Sequence, residues 1–320
     1  MIDLTHAEER INVFEGSERK KTIFWNNSLY MLKFPDPIRE KGKELSYINN
    51  QYSEYIGSSI FSMVGIPTQE TFLANYTDYR GKNNVVVACK NFCSVDESLV
   101  EAEVVSLSLD IEDNRKKNTV SYAYKIIEKS GVDVISAKER FWDMVVVDAL
   151  IGNVDRHNGN WGFLVNNKSG SVGLAPVYDC GSSLSPLLSD DEMSLVLANK
   201  GKLSVLEYNV KSALRDDNGH IILYHQLFEN PPDELKEAIL RIVPKIDLKK
   251  IGQLIENIEG ISDIRRSYYK QVVGLRFDRI LNRACKKELK VRQDMVRNGI
   301  DEFFAKRRAK SMENPHGPKL

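Results

Sequence analysis

One stretch restricts this chain more than any other, residues 141–167: FWDMVVVDALIGNVDRHNGNWGFLVNN. An apolar run, Met144 to Ile151, leads into a polar loop, Asn153-Val-Asp-Arg-His-Asn-Gly-Asn160, and a strand-like apolar segment, Trp161 to Val165, follows at once. A buried element therefore delivers an acid, a histidine and an amide into a tight loop, and the chain then returns to the core. Folds present catalytic groups on rigid supports in this way.

Within the loop the spacing is informative. Asp155 and Asn160 stand five apart, the D-x-x-x-x-N spacing of a protein-kinase catalytic loop. There the acid accepts the proton of the attacking hydroxyl and the amide carbonyl helps to hold a magnesium ion. A third group is needed, a carboxylate for the metal that bridges the phosphates. Asp179, in Ala175-Pro-Val-Tyr-Asp-Cys-Gly-Ser-Ser183, follows a strand-like run (Val172 to Tyr178) and precedes Cys180-Gly181, as the acid of D-F-G precedes its Phe-Gly. Together they predict phosphoryl transfer from ATP with Mg2+ bound.

At 320 residues the chain can hold one large domain or two lobes and bury a sizeable core. Lys and Arg balance Asp and Glu at a formal net charge of zero, so no global field draws nucleic acid or membrane. The four cysteines form no C-x-x-C pair, which fits a reducing compartment; Cys89 and Cys93 are four apart without a matching His or Cys pair. No apolar run approaches the roughly 18 residues of a membrane span, and Asp3, Glu8 and Glu9 are unlike a signal peptide. A cytoplasmic protein is expected; delivery to another cell without a cleavable signal stays open.

Taken in order, residues 1–35 read as β-rich. Thr22-Ile-Phe-Trp25 and Leu29-Tyr-Met-Leu-Lys-Phe34 flank Asn26-Asn27-Ser28, a good hairpin turn. Alternation sets Met31 and Lys33 opposite Tyr30 and Leu32. A lysine within an apolar strand needs a partner or a wet cleft, so Lys33 is either the residue that contacts the α- and β-phosphates or a strand lysine facing solvent. Gly16-Ser17 is the candidate turn over the phosphates, although nothing there matches G-x-G-x-x-G. Residues 46–65 fit an amphipathic helix with Gly65 at its C-cap, and Glu54, one step outside the apolar stripe, is the candidate partner of Lys33. A further hairpin, Glu70 to Tyr76 and Val85 to Lys90, ends at the expected hinge, Ala88 to Asn91, where the main chain, including that of Ala88 and Lys90, would bond adenine.

Residues 96–135 read as polar helix and loop, and Ala137 to Asn153 as the helix that feeds the catalytic loop. The serine-rich Ser182 to Asp191 occupies the place of an activation segment, open either to phosphorylation in cis or to a role as a plain solvated loop. Helical patterns dominate from Ser204 to Ile261, and a long helical stretch runs from Ser262 towards Arg308. The basic cluster Lys306-Arg-Arg-Ala-Lys310 is better read as a charged helix end than as a nucleic-acid patch.

Leu150-Ile-Gly-Asn-Val-Asp-Arg-His-Asn-Gly-Asn160, Tyr178-Asp179 and Tyr30-Met-Leu-Lys-Phe-Pro35 resemble the HipA-like serine/threonine kinases, most closely the short cell-translocating kinases of that group. The likeness, over about residues 20 to 260, implies an α+β, two-lobed protein-kinase-like fold. Its small β-rich N-lobe would span 1–92 and its larger, mostly helical C-lobe 93–261, followed by a helical extension, 262–320, with a disordered basic tail. It further implies phosphorylation of protein Ser/Thr hydroxyls, with Asp155 as base, Asn160 and Asp179 on the metal, and Lys33 on the phosphates with Glu54 as its partner. HipA toxins carry an additional N-terminal subdomain, so no antitoxin-type partner is assumed. The loop Asp155-Arg-His-x-x-Asn160 is also similar to that of phosphatidylinositol 3-/4-kinases, which keeps lipid or small-molecule kinases, and a non-catalytic nucleotide-binding module, as alternatives. His157, two residues from Asp155, either faces the same cleft or braces the loop; Arg156 either pairs with a phosphate or a phosphorylated serine or, the reading preferred, forms a surface or loop-supporting ion pair.

Overall fold

A computed structural model describes residues 1–11, 20–35, 49–109 and 117–313. The first hairpin forms where the sequence places it. Strands β3 (Lys20–Trp25) and β4 (Ser28–Lys33) meet at Asn26 and Asn27, which take φ of 46° and 58°, the left-handed pair that a two-residue hairpin needs. They join β1 (Ile2–Asp3), β2 (Glu8–Arg10), β5 (Thr71–Thr77) and β6 (Asn83–Lys90) in one six-stranded sheet of order β1-β5-β6-β4-β3-β2. One face carries an apolar cluster that includes Ile23, Tyr30, Leu32, Ala74, Val86 and Ala88.

Against the opposite face lies α1 (Asn50–Met63). It stops at Gly65, whose φ of 80° lets the Gly65 and Ile66 amides bond back to the Ser62 and Phe61 carbonyls at 3.0 Å each. The amphipathic pattern puts one stripe inside, yet this helix is buried on two flanks. Tyr52, Ile56, Ile60 and Phe61 meet core, while Ser53, Glu54, Gly57 and Ser58 are covered by neighbouring segments. Gly57 makes this possible: a Cβ there would stand 2.5 Å from the Cys180 Cβ, so only glycine admits the Asp179-Cys180 turn so close to the helix.

The C-lobe comprises β7 (Glu97–Glu101), α2 (Ala102–Ser106), α3 (Val120–Lys129), α4 (Val134–Ile151), β8 (Gly162–Asn166), β9 (Val172–Leu174), α5 (Asp190–Ala198) and α6 (Lys200–Tyr208). There follow β10 (Lys211–Arg215), β11 (Ile221–Leu223), α7 (Tyr224–Glu229), α8 (Asp233–Ile242) and α9 (Leu248–Glu256). The lobe closes with α10 (Asp263–Arg276), a π-helical turn (Phe277–Leu281) and α11 (Asn282–Glu313).

Three local expectations are corrected. Residues 97–101 are a strand rather than loop, because they pair antiparallel with β8 along their whole length in a three-stranded β7-β8-β9 sheet. A hairpin, β10-β11, interrupts the region read as helical, turning at Gly219 with φ of 87°. The strand read as Val172 to Tyr178 stops at Leu174, ahead of Pro176, which has no amide hydrogen to donate to a ladder. Beyond the boundary expected after residue 261, Tyr268, Tyr269, Val272 and Val273 of α10 sit in the same apolar core as α4.

Candidate active site

The catalytic loop begins where α4 ends. Gly152 caps that helix in left-handed conformation, φ 66°, and turns the chain towards the cleft. Behind the turn lies the Arg276 guanidinium, so close that a Cβ on Gly152 would come within 2.4 Å of its Cζ. Arg276 donates to the Ile151 carbonyl at 2.7 Å and pairs with Glu207; both side chains are almost wholly buried. Glu207 also accepts the Tyr268 hydroxyl at 2.6 Å, and the Tyr224 hydroxyl donates to the Asn153 carbonyl at 2.6 Å.

A second buried pair shapes the loop from within. Asp148, on the last turns of α4, receives Arg156 through Nε at 2.9 Å and Nη2 at 3.1 Å, together with the Asn153 amide at 3.1 Å. Arg156 Nη1 reaches on to the carbonyls of Asn160, at 2.7 Å, and of Tyr178. One guanidinium thus ties the catalytic loop to the segment that carries Asp179. This is the supporting role expected of Arg156, and its fork suits several oxygens at once.

Asp155 is held at its backbone and left open at its carboxylate. Its amide donates to Asn153 Oδ1 at 3.1 Å, its carbonyl accepts Asn160 Nδ2 at 2.7 Å, and its side chain is about half exposed (47%). Burial by the surrounding cleft pushes its pKa up, the His157 charge opposes that, and the like charge of Asp179 adds to it. His157 Nε2 stands 3.9 Å from Asp155, while its Nδ1 accepts the Gly159 amide at 3.0 Å. Bracing and facing the cleft are therefore compatible.

Asp179 takes φ of 56°, an uncommon conformation for a residue with a side chain and a form of local strain that gathers at functional sites. A bridge holds it from behind, where Val177 exchanges main-chain hydrogen bonds with Pro67 (2.9 Å) and Gln69 (2.8 Å) of the N-lobe. Lys33 Nζ then spans the lobes, 2.9 Å from Glu54 Oε2 and 2.9 Å from Asp179 Oδ1. The other Glu54 oxygen accepts the Cys180 amide at 3.0 Å. Desolvation works to raise the Asp179 pKa, but Lys33, by charge and hydrogen bond, together with the charges of Arg156 and Lys20, outweighs it and holds the carboxyl at about 2.

The structure therefore brings Lys33, Glu54, Asp155, His157, Asn160 and Asp179 into one region. Ala88 and Lys90 lie apart from their expected role: Ala88 is fully buried in the β4-β6-β5 ladder, and the Lys90 amide and carbonyl bond to Glu70 and to Gln69. Beyond the strand end at Lys90, the Asn91 amide still bonds to the Leu29 carbonyl at 2.8 Å, and the Phe92 ring lies 5.9 Å from that of Tyr178. Gly16 and Ser17 fall outside the described residues. The serine-rich segment after Asp179 is no solvated loop: Ser183 and Leu184 are buried, Ser53 Oγ donates to the Ser183 carbonyl at 2.6 Å, and Ser189 caps α5.

Asp148, Glu207, Tyr224, Tyr268 and Arg276 also shape the site, and sequence reasoning passed over them. Asp148 had a visible signal, a single acid inside VVVDALI. The others lie far along the chain and carry none.

The donor set suits a nucleotide-bound cation. Among the described residues no group of three or more His, Cys, Asp or Glu gathers, so a metal held by protein atoms alone has no cage. One ionised carboxylate (Asp179) and one amide oxygen (Asn160 Oδ1, set by the hydrogen bond its Nδ2 makes) leave coordination places for phosphate oxygens and water, as Mg2+ prefers.

Comparison with known proteins gives a consistent set. The model of the HipA-like C-terminal domain matches residues 13–246. The serine/threonine-protein kinase CtkA of Helicobacter pylori is 37% identical over 291 residues, 88% of this chain and 87% of that protein. The crystal structure of the H. pylori proinflammatory kinase CtkA superposes with a TM-score of 0.83 at 35% identity, over 91% of this chain and 98% of that one. HipA of Shewanella oneidensis, solved with HipB and operator DNA, matches in fold at a TM-score of 0.52 and 15% identity, over 89% of this chain and 69% of its own.

Proposed function

We propose, starting from the fact that this chain belongs to the HipA-like C-terminal domain family, that the cleft between its lobes binds Mg-ATP and passes the γ-phosphate to a protein hydroxyl. The chain is a serine/threonine protein kinase of two-lobed fold, and kinases as a class use a nucleotide and a metal. Protein substrates follow from that class. The observation that carries the reading is Lys33, buried between lobes and shared at 2.9 Å between Glu54 and Asp179, beside the Asp155 loop.

Mg-ATP, when bound, supplies the phosphoryl group and the cations that neutralise its charge. Asp179 and the Asn160 carbonyl oxygen would hold those cations. Lys33, fixed by Glu54, would neutralise the α- and β-phosphates, and the main chain around Phe92 would read adenine. Asp155 orients the acceptor hydroxyl and takes its proton, a role worth roughly 10²–10⁴-fold in rate. Its backbone is clamped by Asn153 and Asn160 and its carboxylate faces outward, so positioning precedes chemistry.

Transfer of labelled γ-phosphate to a generic protein acceptor tests this. Asp155→Asn and Asp179→Ala should each abolish most transfer while the far-ultraviolet spectrum is unchanged. Label on the chain's own serines, lost in the same variants, would extend the activity to autophosphorylation. Undiminished transfer by Asp155→Asn would remove the assigned base.

A further inference from the structure

A cleft on the C-lobe, remote in composition from the catalytic one, opens between α6 and the junction of α10 with α11. Its volume is about 630 Å³, within the ~300–1,000 Å³ usual for small-molecule sites. None of Lys33, Glu54, Asp155, Asn160 or Asp179 lines it.

What lines it is unusual in charge. Arg279, Arg283 and Lys286, on successive turns of one helical stretch, face a single acid, Asp278. Cations at such spacings repel one another. Several other C-lobe cations are paired: Arg265 with Asp190, Arg241 with Asp143, Lys270 with Glu256 and Arg292 with Glu237. Among the described residues no carboxylate lies within ion-pair distance of Arg279, Arg283 or Lys286; Arg279 donates only to the Ser204 hydroxyl. The remaining polar lining consists of the Ser204 and Tyr208 hydroxyls and the Asn209 and Asn282 amides. This wall is rich in donors and poor in acidic acceptors, and its two guanidinium forks match phosphate oxygens.

The backbone supplies a second, independent sign. Residues 277–281 form a π-helical turn at the mouth of the cleft; such departures from α geometry recur at functional sites. From these observations we infer that the cleft between α6 and the π-turn binds a small molecule through its phosphate groups. The inference stands apart from the kinase reading, since no residue of that site takes part.

The two walls also reach the catalytic loop. Glu207 of α6 and Arg276, just ahead of the π-turn, form the buried pair that holds the Ile151 carbonyl. A phosphate bridging Arg279 or Asn282 to Ser204 or Tyr208 would draw those walls together and tighten that pair.

The test is calorimetric titration of inorganic pyrophosphate, already complexed with equimolar magnesium, into the full chain, with the catalytic cleft first saturated by magnesium and a non-hydrolysable ATP analogue. One site is expected, weakened at least about tenfold in Arg283→Gln/Lys286→Gln, a variant whose changes lie on the surface. Affinity for the ATP analogue, measured in parallel, should not change and serves as the control for folding. Absence of pyrophosphate binding once the catalytic cleft is filled, or equal binding by the variant, would overturn the inference.

Discussion

Lys33 at the lobe junction and Arg276 beneath the catalytic loop are both buried cations, and they use their hydrogen bonds differently. Lys33 divides its ammonium between a fully buried carboxylate, Glu54, and one that keeps a third of its side-chain surface, Asp179. Arg276 lies against an equally buried Glu207 and directs another donor to a main-chain carbonyl, that of Ile151. Removing either ion from water costs several kcal/mol, so each needs compensation where it stands. At the junction the pair retains a carboxylate that a ligand can reach; under the loop the pair terminates on backbone. The first arrangement serves binding, and the second holds a conformation.

Lys33→Met should give the largest effect and is the sharpest way to break that distinction. It leaves Glu54 buried without its cation and removes the charge assigned to the phosphates. Loss of one preorganised electrostatic donor costs roughly 10²–10³-fold in rate, and the orphaned carboxylate should also lower the melting temperature. Steady-state phosphate transfer and thermal melts on the same preparation measure both. A stable variant with wild-type transfer would make the junction pair mere packing.

Arg276→Met should act on stability first, by about 3–5 kcal/mol, the cost of leaving Glu207 buried and unpaired. The companion is Arg276→Met/Glu207→Gln, in which the residual amide still accepts the Tyr268 hydroxyl. Urea denaturation should show much of the stability restored, since a buried pair replaced by neutral groups of like size is often neutral. The turnover number should stay depressed, because the Ile151 carbonyl keeps only the Leu184 amide, at 2.9 Å, and Gly152 loses its backing. Full recovery of both would reduce Arg276 to a stabilising residue, and its contrast with Lys33 would vanish.

How far the sequence foretold these two clusters follows from their chain separations. The Asp155–Asn160 loop was legible because its groups lie within six residues, and Asp179 because a strand-like run and a Cys-Gly flank it. Lys33 and Glu54, 21 apart, could be paired because strand alternation and helix placement narrowed the partners. The position of Glu54 was less readable: a one-stripe helix leaves it outside, and only the approach of Cys180 over Gly57 explains its burial. Arg276 and Ile151 are 125 apart, and nothing in a helix reading distinguishes an arginine that points inward from the many that face water. Strand β7 was lost for a similar reason, since five residues with acids at both ends become a strand only when β8 lies beside them.

The smallest expected effect sharpens the comparison at the base itself. Asp155 and Asp179 are neighbouring carboxylates whose surroundings separate them: burial pushes Asp155 up, while Lys33, together with the charges of Arg156 and Lys20, holds Asp179 at about 2. The acidic limb of kcat/KM therefore belongs to Asp155, with activity present when its carboxylate is ionised and lost as pH falls through its raised pKa. Protonated His157 lowers that pKa. His157→Gln removes the positive charge, disfavours the carboxylate, and should move the acidic limb to higher pH, by less than one unit given the 3.9 Å separation and the half-exposed setting. At pH well above the limb the variant should match wild type, because the glutamine carbonyl can accept the Gly159 amide in place of Nδ1 and the main-chain bonds of His157 to Asp155 and Asn160 are untouched. A pH–rate profile of both proteins decides it: a limb that stays in place would assign His157 to bracing alone, and a limb that moves would join it electrostatically to the base.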